Sequence, residues 1–264
     1  RVDYSFFTTA GQVCADDRLQ TLYSAAQIIE GDGTKTDVTF VGGLGRINYA
    51  VHKKYLFSAS LRIDGSTRFG ANNRYGYFPA FSVGWILRDE DFLINQKTVS
   101  FLKLRASWGI SGNAGIGNFS SLGLIASRKN YNGAAGLAFD RIENPDLEWE
   151  KNQTLDIGAE FGLFQNRVNG SFIFYNRYTY DLLLDSPIPQ TTGIFNAFIT
   201  RNAGEVVNRG IELNVSADVL RNKFKWNIGI NLATVYNEVR KLADNNHDGK
   251  DDEIINGPFI IRTG

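Results

Sequence analysis

The stretch Lys54-Tyr-Leu-Phe-Ser-Ala-Ser-Leu-Arg-Ile-Asp64 fixes the reading of this chain. Tyr55, Phe57, Ala59, Leu61 and Ile63 fall on one side of an extended backbone, and Ser58, Ser60, Arg62 and Asp64 fall on the other. A period of two is the mark of a two-faced strand. The apolar side then has two possible destinations, a protein core or lipid.

The same alternation recurs along the chain. Leu102, Leu104, Ala106 and Trp108 oppose Lys103, Arg105 and Ser107, and Leu155, Ile157, Ala159 and Phe161 oppose Asp156, Gly158 and Glu160. Ile211, Leu213, Val215 and Ala217 oppose Glu212, Asn214, Ser216 and Asp218, while Trp226, Ile228, Ile230 and Leu232 oppose Asn227, Gly229 and Asn231. Less regular runs at 37–50, 77–87 and 167–178 bring the expected total to about eight strands. Residues 18–26, with Leu19, Leu22, Tyr23 and Ala26 at helical spacing, predict a short helix in the first loop.

Connections alternate in length. Short turns are expected at 51–53, 164–166 and 220–223, with a moderate, helix-tolerant one at 88–100. Long loops rich in Gly, Asn, Asp or Pro are expected at 65–76, 110–148, 179–207 and from 237 onward. An up-and-down meander with short turns at one end and long loops at the other fits an outer-membrane barrel. A soluble sandwich shares the strand alternation but gives no reason for the loop asymmetry. Aromatics near strand ends, including Tyr55, Tyr77, Trp85, Tyr178, Trp226 and Tyr236, point the same way.

Composition agrees with a β architecture: 264 residues carry 19 Phe, 11 Tyr, 4 Trp and 27 Gly beside 5 Pro. The 28 basic and 28 acidic residues cancel, and no cluster of basic and aromatic side chains stands out, so nucleic acid is not an expected partner. Cys14 is the single cysteine, so there is no disulfide framework or CxxC site. No apolar run is long enough for a transmembrane helix, which leaves a strand-built membrane domain open. The start at Arg1 and the lack of methionine are read as an internal piece of a longer protein.

Several blocks resemble the SusC/RagA family of TonB-dependent outer-membrane transporters. They are 54–70 with its Gly65-Ser-Thr-Arg-Phe-Gly70 ending, Asn72-Asn-Arg-Tyr-Gly-Tyr-Phe-Pro79, Ser82-Val-Gly-Trp85, and Leu102-Lys-Leu-Arg-Ala-Ser-Trp-Gly109 with Gly112-Asn113. Asn144-Pro-Asp-Leu-Glu-Trp-Glu150, Asp181-Leu-Leu-Leu184 with Pro187, Pro189, Thr192 and Gly193, and Asn202-Ala-Gly-Glu-Val-Val-Asn-Arg-Gly-Ile-Glu212 complete the set. The resemblance implies an all-β, antiparallel transmembrane segment: about eight strands, spanning 1–264, of a plugged barrel of about 22. The plug and remaining strands are absent from this sequence. It further implies import of oligosaccharides or peptides across the outer membrane of a Gram-negative bacterium. A SusD-like surface lipoprotein would serve as lid and the TonB complex would act through the plug. The non-enzymatic alternatives are a complete eight-stranded anchor or adhesin barrel and a soluble β-sandwich carbohydrate-binding module.

One local motif suggests a metal. Asp244, Asn246, Asp248, Lys250 and Asp252 occupy positions 1, 3, 5, 7 and 9 of a calcium-loop pattern, with Gly249 at the turn. Position 12 is Ile255 where a bidentate Glu is required, and the alternative is a solvated acidic loop. The glycine-rich runs match no phosphate-binding pattern, GxSxG is absent, and His52 and His247 have no evident Ser or Cys partner, so no catalytic residue is expected. Arg62, Asp64, Arg105, Asp156, Glu160, Glu212 and Asn214 are candidate lumen contacts. Tyr131, Phe139, Phe195 and Phe198 are candidate loop aromatics for stacking on sugar rings. These contacts are expected either to meet solute or to pair among themselves and pack their own loops.

Overall fold

A computed structural model describes residues 2–14, 25–131, 134–194, 198–244, 251, 254–256 and 259–263. In chain order the first strands are β1 (Val2–Cys14), β2 (Ala25–Val38), β3 (Phe40–Val51), β4 (Tyr55–Ser66) and β5 (Tyr75–Ile86). After the four-residue helix α1 (Asp91–Ile94) come β6 (Val99–Asn113), β7 (Leu124–Tyr131), β8 (Ala134–Arg141), β9 (Glu150–Leu163) and β10 (Val168–Tyr180). The last are β11 (Leu183–Pro187), β12 (Phe198–Asn202), β13 (Glu205–Arg221), β14 (Lys225–Lys241), β15 (Ile254–Asn256) and β16 (Phe259–Ile261).

One eight-stranded antiparallel sheet dominates, in the order β14-β13-β10-β9-β6-β5-β4-β3. Its members correspond one for one to the eight strands expected from alternation. Neighbours in space are consecutive apart from the two inserted hairpins, β7–β8 and β11–β12, which leave the meander and return to it. The sheet is open. β3 and β14 are its edges and do not pair with each other, so it is not a complete eight-stranded barrel.

Turn chemistry sets one end of the sheet. At the β3–β4 connection Lys54 N–H donates to the Val51 carbonyl, and His52 and Lys53 both have positive φ, 47° and 59°. That is the type I′ geometry whose twist matches a tight hairpin. His52 therefore has a backbone role. Phe164, Gln165 and Asn166 close the β9–β10 turn in the same left-handed region.

The opposite end carries the long connections, and here the structure adds elements that periodicity did not reveal. The expected loops 110–148 and 179–207 each contain a short hairpin, and β1 pairs with β2 as a further two-stranded sheet. Of the helix expected over 18–26, residues 25 and 26 instead open β2, and 18–24 lie outside the described residues.

Register sorts the two faces. Phe57, Val83 and Ala106 align across β4, β5 and β6, as do Phe81 and Trp108, which stack with centroids 6.1 Å apart. Phe172, Leu213 and Leu232 continue this face across β10, β13 and β14. Many of these apolar side chains are exposed, Phe81 by 53% and Leu232 by 60%. A water-soluble fold would cover such a face.

Candidate functional site

The opposite, polar face is built from the alternate residues. Asn48, Ser58, Ser82, Ser107 and Asp156 form one row across five strands, and Leu44 pairs with Arg62 above it. Every expected lumen residue falls on this face: Arg62 and Asp64 on β4, Arg105 on β6, Asp156 and Glu160 on β9, Glu212 and Asn214 on β13. Several are engaged with one another. The Arg62 guanidinium donates to the Asp64 carboxylate, Arg105 Nε lies 3.3 Å from Glu160 Oε1, and Asn214 Nδ2 donates to Ser171 Oγ at 3.3 Å. Gly158, opposite Arg105, is held close against β10, where a Cβ would stand 2.9 Å from the Phe172 carbonyl oxygen. Asp156 and Glu212 have no ion-pair partner among the described residues. Both are half-buried carboxylates on the polar face.

Toward the long-loop end this face opens into a cavity of about 880 Å³. Leu44, Ser60, Arg62, Asp64, Ser111 and Asn113 line its wall, with Phe78 and Trp149 at its upper edge. The lining offers hydroxyls, an amide, an ion pair and apolar patches.

Above the cavity, three long connections lock together, a feature that sequence reasoning did not identify. Phe69 and Leu147 are 1% and 0% exposed and pack with Phe78 and Trp149. The Trp149 ring lies 4.6 Å from that of Phe69 and meets Phe78 edge-on at 5.5 Å. Gly70 N–H donates to the Leu147 carbonyl at 2.9 Å, and Trp149 Nε1 donates to the Arg74 carbonyl at 3.1 Å. Arg68 spans to Asn118 Oδ1 and the Ala114 carbonyl at 2.8 and 2.7 Å.

The Asn202 amide ties in the third connection, beside the Asn144 amide, whose Nδ2 donates to the Thr200 carbonyl at 2.9 Å. Asn202 Nδ2 donates to the carbonyls of Glu148 and Asp181 at 2.8 and 3.0 Å, while its Oδ1 accepts from Glu148 N–H at 2.9 Å. Lys151 adds ion pairs to Glu148 and Asp181 at 2.7 and 3.0 Å. The residues drawn together, Arg68, Phe69, Gly70, Leu147, Trp149, Asp181 and Asn202, come from the blocks that carried the family resemblance. Their clustering was the available signal.

The remaining expectations divide. Phe139 and Phe198 are exposed on β8 and β12, whereas the Tyr131 side chain and Phe195 lie outside the described residues. Asp244 is half-buried beside Asp181, Arg201 and Glu205 in a cavity of about 210 Å³. Asn246, Asp248, Lys250 and Asp252 lie outside the described residues.

At the short-turn end Glu90 is held by three donors. Trp85 Nε1, the Tyr55 hydroxyl and Lys54 Nζ approach its carboxylate at 2.9, 2.8 and 3.3 Å. These bonds, led by that of Trp85, hold the Glu90 carboxyl below the usual glutamate range.

Residues 2–259 match the family described as TonB dependent receptor-like, β-barrel. A TonB-dependent receptor of Formosa agariphila is 38% identical over 94% of the chain, and the TonB-dependent receptor SusC of Bacteroides thetaiotaomicron is 37% identical over 83%. The chain spans only 24% and 22% of these relatives. Among solved structures, the RagAB peptide importer in its closed-closed state superposes with a TM-score of 0.85 at 26% identity, over 99% of this chain and 29% of that one. The RagAB peptide transporter gives 0.78 at 29% identity, over 87% of this chain and 26% of that one.

Proposed function

This chain belongs to the TonB-dependent receptor-like β-barrel family, on its SusC/RagA branch, and from that membership we propose that its sheet is wall and lumen lining of an outer-membrane nutrient importer. One observation carries the reading. A single sheet turns an exposed aromatic face one way and a hydrated, charge-bearing face the other, with tight turns at one end and braced loops at the other. Lipid suits the first face and an aqueous lumen the second.

The cargo we propose is an oligosaccharide or a short peptide. The wall supports this through hydroxyls, amides and free carboxylates at Asp156 and Glu212, which can meet a polar solute without covalent chemistry. A SusD-like lipoprotein is the proposed partner at the long-loop end. There the β7–β8 hairpin presents Ile125 and Phe139 as a cross-strand pair, 62% and 65% exposed. Energy would come from the TonB complex through a plug outside this sequence. For the acidic stretch containing Asp244, Asn246, Asp248, Lys250 and Asp252 we propose a calcium-binding loop, tested by calcium titration of the full-length protein against Asp248→Asn.

The deciding experiment deletes the full-length gene in its own host and restores it with wild type or with a Asp156→Asn, Glu212→Gln double variant. Membrane fractions are probed alongside growth on candidate glycans and peptides. Outer-membrane location, with uptake lost on deletion and lowered severalfold by the double variant, supports the proposal. A soluble protein, or unchanged uptake of every candidate after deletion, overturns it.

A further inference from the structure

Arg209 stands on the apolar face. Register places it between Asn176 of β10 and Tyr236 of β14, two residues beyond Ile211 on the same side of β13. It is exposed, its guanidinium carbon lies 4.6 Å from the centre of the Tyr236 ring, and it has no carboxylate partner among the described residues. Neighbouring rim cations are differently placed: Lys151 is paired with Glu148 and Asp181, and Arg240 with Glu238.

Depth gives this isolated charge a meaning. Trp226 and Tyr236 stand on the same side of β14, ten residues apart. At about 3.3 Å per residue and a tilt of about 40°, they are separated by about 25 Å along the barrel axis, the height of a lipid-facing band. Trp226 thus marks one edge of the hydrocarbon layer and Tyr236 the other, on the long-loop side. Arg209 sits level with the headgroups there. Tyr178 and Tyr180, stacked 5.4 Å apart on β10, extend the same belt.

We propose that Arg209, its guanidinium plane steadied on the Tyr236 ring, binds the phosphate of an anionic lipid headgroup in the outer leaflet. A guanidinium offers parallel donors to a phosphate, and cation–π stacking orients them at little entropic cost. An unpaired cation on a lipid-facing surface is otherwise expensive, and a headgroup phosphate at this depth supplies the missing counter-charge. The proposal rests on the apolar face meeting lipid.

The test uses the full-length transporter, folded in detergent and titrated separately with phosphatidylglycerol, lipid A, phosphatidylcholine and inorganic phosphate. Binding is read by native mass spectrometry, and folding of each variant by heat-modifiable migration. R209Q should weaken phosphatidylglycerol and lipid A about tenfold, the scale of one charge-assisted hydrogen bond. R209K should weaken them less, and phosphatidylcholine should be indifferent to both. Equal binding of the anionic lipids by wild type and folded R209Q overturns the proposal, as does equally strong competition by inorganic phosphate. If the wild-type protein shows no heat-modifiable barrel at all, the membrane reading falls and this proposal with it.

Discussion

Two residues show how local chemistry holds the ends of this sheet. Glu90 is bound in its ionised form by Trp85, Tyr55 and Lys54, so its folded-state pKa lies below its unfolded one. Its contribution to stability is therefore complete above the unfolded value and lost as pH falls through the lower folded value. Thermal unfolding of wild type and Glu90→Gln should differ at neutral pH and converge in acid below the usual glutamate range. A gap that stays constant with pH would refute the assignment. At the other end Leu147 is wholly buried, and Leu147→Ala should cost about 2–5 kcal/mol in the rim. The loss should appear as faster amide exchange across 67–74 and 181–204 while the strands stay protected. Gly70→Ala should do the same by overpacking, because the new Cβ would stand 1.9 Å from the Pro145 carbonyl oxygen.

For the strands, the decisive property is which face a position occupies. Ile157 on β9 and Ser107 on β6 lie on opposite faces of adjacent strands, one row apart. In lipid vesicles Ile157→Arg should lower the unfolding free energy by about 2–4 kcal/mol, whereas Ser107→Arg, facing the open polar wall, should cost much less. Urea unfolding in vesicles reads both, and equal costs would mean that the faces are wrongly assigned. Strand existence was legible from the sequence because alternation is a local signal. Leu102 to Trp108 and Ile211 to Ala217 each carry it within seven residues. The hairpins β7–β8 and β11–β12 were not legible. Gly, Asn and Pro dominate their surroundings, and their strands are too short for alternation to impose a period.

Across the whole molecule, the sheet and the knotted loops answer different demands. The sheet separates an exposed apolar face from a polar one, and the loop cluster braces its long-connection end. Asn202→Ala removes one amide that serves three backbone groups from two connections, so it should loosen the cluster more than any exposed loop substitution. Limited proteolysis of the full-length protein should then cleave within 181–204 well before wild type does, and unchanged cleavage would show that the knot does not depend on this residue. The sequence by itself determined the eight strands, their two faces, the short and long ends and the family, because each is written in local alternation or in contiguous blocks. Only the tertiary structure decided that β3 and β14 do not pair with each other, that Arg105 meets Glu160, that Arg209 is left without a carboxylate among the described residues, and that blocks up to 134 residues apart, from Arg68 to Asn202, meet in one cluster. Such pairings depend on strand register and on how loops fold back, and neither is encoded in the spacing of any one segment.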